Sequence, residues 1–171
     1  MKRIFLTLIV LLAMLATTGA AAAAPLQASD TFRAILSGAD EVPARDTNAR
    51  GVATLKFNDA RTELAYILIA ANIENVVAAH IHCGVPGENR PVGLTLLHNP
   101  PTSGRFNGIL AQDVATAPDP GNGCGWTSLA DVLAAINSGG AYVNVHTNDG
   151  VAPPNTGPGD FPGGEIRGPV Q

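Results

Sequence analysis

No stretch of the chain carries a cluster of basic residues: Lys and Arg number 10 against 14 Asp and Glu, a formal net charge of −4 at pH 7. A nucleic-acid or anionic-lipid partner is recognised first through clustered cations, so charge count argues against both classes. Charged residues of either sign make up only 14% of the chain and aromatics 5%. Cysteine is limited to Cys83 and Cys124. The motifs of common hydrolases and nucleotide enzymes are also missing: there is no G-x-S-x-G elbow, phosphate-binding glycine loop or zinc-protease helix motif. Ser103 and Ser128 have no histidine and acid at a recognisable spacing, so no serine hydrolase is indicated.

Only one long apolar run occurs, at the N-terminus. Met1-Lys2-Arg3 precedes the run Ile4 to Ala16, and the small-residue stretch Thr17 to Ala24 follows. A positive n-region, an apolar h-region and an A-x-A-like zone form a signal peptide over residues 1–24, with cleavage expected near Ala23. The run falls short of the roughly 20 residues that cross a bilayer as a helix. The expected location is therefore secreted or periplasmic, with no membrane attachment after cleavage. In an oxidising compartment an even pair of cysteines points to a Cys83–Cys124 disulfide. A Cys83 thiolate beside His82 acting as a metal ligand is the alternative, and it requires the pair to stay reduced.

Glycine (19) and proline (13) are abundant, and they punctuate short alternating segments. Strands are expected at 31–36, 51–57, 63–71, 76–82, 92–97, 141–147 and 165–170, with a shorter one at 108–112. The segment ELAYILIAA (Glu63 to Ala71) is apolar at nearly every position, which suggests a central strand buried on both faces. One helix is expected: Leu129, Val132, Leu133 and Ile136 form a single stripe over 128–137, Ser128 and Asp131 fit a capping box, and Gly139-Gly140 stops it. The class is all-β with one short α-helix, in a single domain over residues 31–171.

Four segments in order, LSGADEVP (Leu36 to Pro43), AHIH (Ala79 to His82) with Gly84-Val85-Pro86, YVNVHT (Tyr142 to Thr147) and GGEIRG (Gly163 to Gly168), resemble the CHRD domain of chordin and of many bacterial exported proteins. The resemblance implies a Greek-key antiparallel β-sandwich, immunoglobulin-like or superoxide-dismutase-like. It implies no defined molecular activity.

All four histidines, His80, His82, His98 and His146, lie within this region. His80 and His82 are two apart on a strand and so share a face, while Val143 and Val145 turn one way and Tyr142, Asn144 and His146 the other. If the two strands meet, three imidazoles converge, a donor set suited to copper or zinc. A His-x-His strand followed by a lone strand histidine also resembles the copper site of Cu/Zn superoxide dismutase, with His98 as a candidate fourth ligand. The alternative is that the histidines are structural and support neighbouring loops. Glu165 and Arg167 are expected as a surface ion pair or a loop anchor, Asp40-Glu41 as a turn, and Asp149 and Asp160 as loop acids that calcium could use. The functional expectation is an exported binding module with an optional metal. A copper-only dismutase-like enzyme and a metal-free structural or adhesive module, with an unidentified protein partner, are the alternatives.

Overall fold

A computed structural model of the chain describes residues 30–100 and 103–171, so the expected signal peptide lies outside the described residues. Eight strands and one helix follow in order: β1 (Thr31–Ser37), β2 (Arg50–Phe57), β3 (Leu64–Glu74), β4 (Val76–Cys83), β5 (Val92–Thr95), β6 (Arg105–Ala115), α1 (Leu129–Asn137), β7 (Ala141–Thr147) and β8 (Ile166–Pro169). All pairings are antiparallel, as expected of an all-β chain with one short helix. No helix among the described residues is long and apolar enough to cross a membrane.

The strands form one curled sheet in the order β5-β4-β7-β8-β1-β2-β3-β6. Its two halves meet at a seam between β8 and β1, joined at the register pair Ser37 and Arg167 and by mutual backbone hydrogen bonds of Arg33 and Gln171. The ladder thus runs continuously through both layers of the sandwich. Gly168 makes the seam possible, because a Cβ there would collide with the backbone carbonyl of Ile35. The inward positions of both halves, among them Leu36, Leu55, Leu68, Ile81, Val143 and Ile166, share one core with at most 1% exposure each.

α1 buries the stripe expected of it. Asp131 caps it by accepting the backbone N–H groups of Thr127 (2.8 Å) and Ser128 (3.0 Å). These bonds and the Thr127 hydroxyl favour its ionised form and lower its pKa.

Two expectations are corrected. β3 is interior to the sheet but not buried on both faces: Leu64, Tyr66 and Leu68 point into the core, while Ala65 and Ile69 are exposed. No layer among the described residues covers that face, so its apolar composition is not a sign of two-sided burial. β6 is 11 residues long, not a short strand at 108–112. It is a mostly exposed edge strand with two register shifts against β3, and a bulged strand with one partner lacks the strict alternation that marks interior strands.

Candidate metal centre

β4 and β7 are neighbours, and their core-facing residues Ala79, Ile81, Val143 and Val145 have no exposed surface. Alternation then turns His80, His82, Tyr142, Asn144 and His146 to the opposite face of the sheet. There His80 pairs with Asn144, His82 with Tyr142, and His146 with the small Ala78. This face is not solvated as a sandwich exterior usually is. Glu41, Asn144, Asp160, Glu165 and Arg167 on it or over it are each at most 5% exposed, beneath the segments that follow β1, β4 and β7.

The three imidazoles converge. Ring centroids are 5.0 Å apart for His80 and His146, 5.6 Å for His80 and His82, and 5.7 Å for His82 and His146. One ligand nitrogen from each ring lies within 4.8 Å of the other two. Outer contacts orient two of the rings: His82 Nδ1 is 2.8 Å from the Arg90 carbonyl, and His146 Nδ1 is 2.9 Å from the Pro162 carbonyl. A carbonyl only accepts, so each Nδ1 carries the proton and each Nε2 keeps a free lone pair. Those two Nε2 atoms and His80 Nδ1 are buried and have no hydrogen-bond partner.

The rings are held neutral. Burial is the main cause, and it lowers His80 and His82 from 6.5 to about 4 each. The neighbouring His146 pushes both in the same direction. His146 is also lowered, first by burial and further by the Arg167 guanidinium. Neutral imidazole is the ligand form, so this environment keeps the cluster ready for a cation at ordinary pH.

Around the cluster lies a buried polar frame. Tyr142 stacks on His82 with centroids 4.9 Å apart, and the Arg167 guanidinium carbon sits 4.3 Å from the Tyr142 ring centre. Tyr142 Oη accepts the Arg90 N–H at 3.1 Å, fixing the loop whose carbonyl orients His82. Arg167 is ion-paired to Glu41 at 3.0 Å, with side chains 3% and 2% exposed, and donates to the Glu88 carbonyl and to Asn89 Oδ1. Burial raises Glu41 to about 7 despite the opposing pull of Arg167.

Several site expectations change here. Glu165 and Arg167 do not form a surface ion pair: both are buried, and they reach different loops, as anchors. Glu165 accepts hydrogen bonds from Thr47, Thr147 and the Gly159 amide. Glu41 belongs to the frame and not to an open turn, whereas Asp40 stays on the turn and accepts from Ser37 Oγ. Asp149 and Asp160 bond within their own loop, to the Val151 amide and to Thr156. Cys83 and Cys124 form the disulfide, which removes Cys83 as a thiolate ligand. His98 lies exposed after β5, lining a surface hollow that Tyr66 and Asp113 also line, and is not part of the three-ring cluster. Sequence reasoning missed the Glu41–Arg167 pair. Its signal was present in LSGADEVP and GGEIRG, where two charges each (Asp40 and Glu41, Glu165 and Arg167) stand within otherwise apolar or glycine-rich segments.

Fold and site together define an all-β domain with a histidine cluster on a covered sheet face. The CHRD domain family model matches residues 32–170, and the chain belongs to that family. No curated protein and no solved structure matches the chain.

Proposed function

We propose that the chain is an exported CHRD-domain binding module that holds one copper or zinc ion on His80, His82 and His146. The observation that carries this reading is that three imidazoles offer nitrogens within 4.8 Å of one another while each ring also holds a buried nitrogen without a partner, two of them on rings whose opposite nitrogen is fixed by a backbone carbonyl. Buried polar atoms usually find partners, and leaving three unpaired in one place is costly unless something occupies the space between them. Nitrogens bound to one ion at about 2.0–2.1 Å lie at most about 4 Å apart. Occupation therefore needs only a small inward turn of the rings. An all-imidazole set suits both metals, and the affinity order of divalent ions favours copper.

Export rests on the N-terminal sequence pattern, and the disulfide is consistent with it. The dismutase-like alternative calls for an accessible cation to guide an anion to the metal, whereas the nearby Arg167 guanidinium is buried against Glu41. The test is metal content by mass spectrometry on untagged protein, beside a His80→Ala/His82→Ala variant. Near-stoichiometric copper or zinc, absent from a variant that remains folded, supports the reading. Protein that stays metal-free after incubation with excess copper and desalting refutes it.

A further inference from the structure

Among the described residues nothing covers the outer face of β1, β2, β3 and β6, and its residues are sorted by chemistry. Ile35, Val52, Ile69 and Ile109 are consecutive partners across the four strands and make one apolar row. Three of them stand well out of the surface, at 70% exposure for Ile35, 54% for Ile109 and 44% for Ile69. At the usual strand spacing the row is about 15 Å long. Val114, 49% exposed, extends the apolar area along β6.

The charges on this face run against those of the chain. Of the 10 Lys and Arg, Lys2 and Arg3 lie in the N-terminal segment, whereas Arg33, Arg50, Lys56 and Arg105 all stand at exposed positions of these strands. Arg33 and Lys56 lie to one side of the apolar row and Arg50 to the other, as the β1–β2 register places them. None of these three makes an ion pair among the described residues. Of the carboxylates at these strands, Glu74 at the end of β3 is already paired with Arg105 at 3.0 Å, Glu63 stands exposed just before β3, and the exposed Asp113 of β6 lies opposite the core-facing Tyr66, so the cations still outnumber the acids. A chain with net charge −4 thus presents one face that is aliphatic and net positive. Counting charges over the whole sequence hides this segregation.

We propose that this face docks on an anionic lipid bilayer. Protruding β-branched side chains reach the headgroup and acyl boundary, while flanking cations meet lipid phosphates. An anionic polysaccharide is a poorer match. Aliphatic side chains offer nothing to sugar hydroxyls, and the aromatic residues of these strands, such as Phe57 and Tyr66, point into the core. The face lies on the half of the sheet that does not carry the histidines, so docking leaves the candidate metal centre uncovered.

The test is co-sedimentation of the protein with vesicles of phosphatidylcholine containing phosphatidylglycerol, against vesicles of phosphatidylcholine alone. Binding to the anionic vesicles is expected to weaken as salt is raised. Each cation near such a surface is worth about 1 kcal/mol, roughly fivefold in partitioning, so Arg33→Gln/Lys56→Gln should bind about 25-fold more weakly. Ile35→Ser/Ile109→Ser should lose at least about tenfold for want of insertion. Both variants change exposed side chains, and a melting curve matching the wild type confirms that each is folded. Should one of them fail to fold, the other still decides the question. No sedimentation, equal binding to both vesicle types, or binding unchanged in a folded variant overturns the proposal. So does equally tight binding to soluble dextran sulfate that is insensitive to the isoleucine changes, since the ligand would then be a polyanion and not a membrane.

Discussion

Glu165 has no exposed surface and accepts hydrogen bonds from three groups, Thr47 Oγ1 at 2.6 Å, Thr147 Oγ1 at 2.7 Å and the Gly159 amide at 2.9 Å. Together these tie two loops to the start of β8. Glu165→Ala strands three donors, two buried and the Thr47 hydroxyl half-buried, so a loss of about 3 kcal/mol is expected by denaturant unfolding. A loss below about 1 kcal/mol would show that the loops are held by other contacts. His80 and His82 give a pH signature in metal-free protein. Their folded values, about 4, lie below the ordinary 6.5. Between those limits the unfolded chain binds more protons than the folded one. The rings therefore contribute stability that is complete above pH 6.5 and is lost as the pH falls through 4. Glu41, raised to about 7, acts oppositely, its contribution being present below about pH 4.5 and lost as the pH rises through 7. Imidazole proton resonances followed by NMR separate the two effects, and those of His80 and His82 should keep neutral positions down to about pH 5. The shared face of these histidines was legible from the two-residue spacing of His80 and His82. The Nδ1 partners were not, because the Arg90 and Pro162 carbonyls come from loops whose paths no local pattern encodes.

β4 and β7 show what alternation can and cannot reveal. Val143 and Val145 marked the core face of β7 correctly, which placed Tyr142, Asn144 and His146 together. That the opposite face is also covered could not be read from the strand, because its cover is built from Gly- and Pro-rich segments that carry no periodic signal. β3 misleads in the other direction, since Ile67 and Ile69 look like core residues and instead face outward, Ile67 near Lys56 and Gln112 and Ile69 between Val52 and Ile109. The β8–β1 seam is the element most sensitive to a single atom. Gly168→Ala puts a methyl group against the Ile35 carbonyl, so β1 and β8 must separate. Hydrogen exchange should then accelerate at the β1 amides, with a stability loss on the order of 2 kcal/mol. Protection unchanged in this variant would mean that the seam does not join the two halves.

For the whole molecule, fold class was readable from turn residues and short alternating segments, and the family from four separated motifs. The disulfide followed from compartment logic. It spans a sequence separation of 41 residues, linking the end of β4 to the segment before α1. A Cys83→Ser/Cys124→Ser variant should lose about 4 kcal/mol in the chain-entropy account, read as a lower denaturant midpoint. Because Cys83 follows His82 directly and the bridge holds the end of β4, the same variant should also bind metal more weakly. In the function proposed above, three histidines from two neighbouring strands make one metal site. Calorimetric titration of Cu(II) and of Zn(II) into metal-free protein, beside folded His82→Ala and His146→Ala variants, tests it most directly. One ion per chain is expected in the wild type, with at least a hundredfold weaker binding in either variant. Wild-type binding that is absent, or retained unchanged without His82 and without His146, would contradict it.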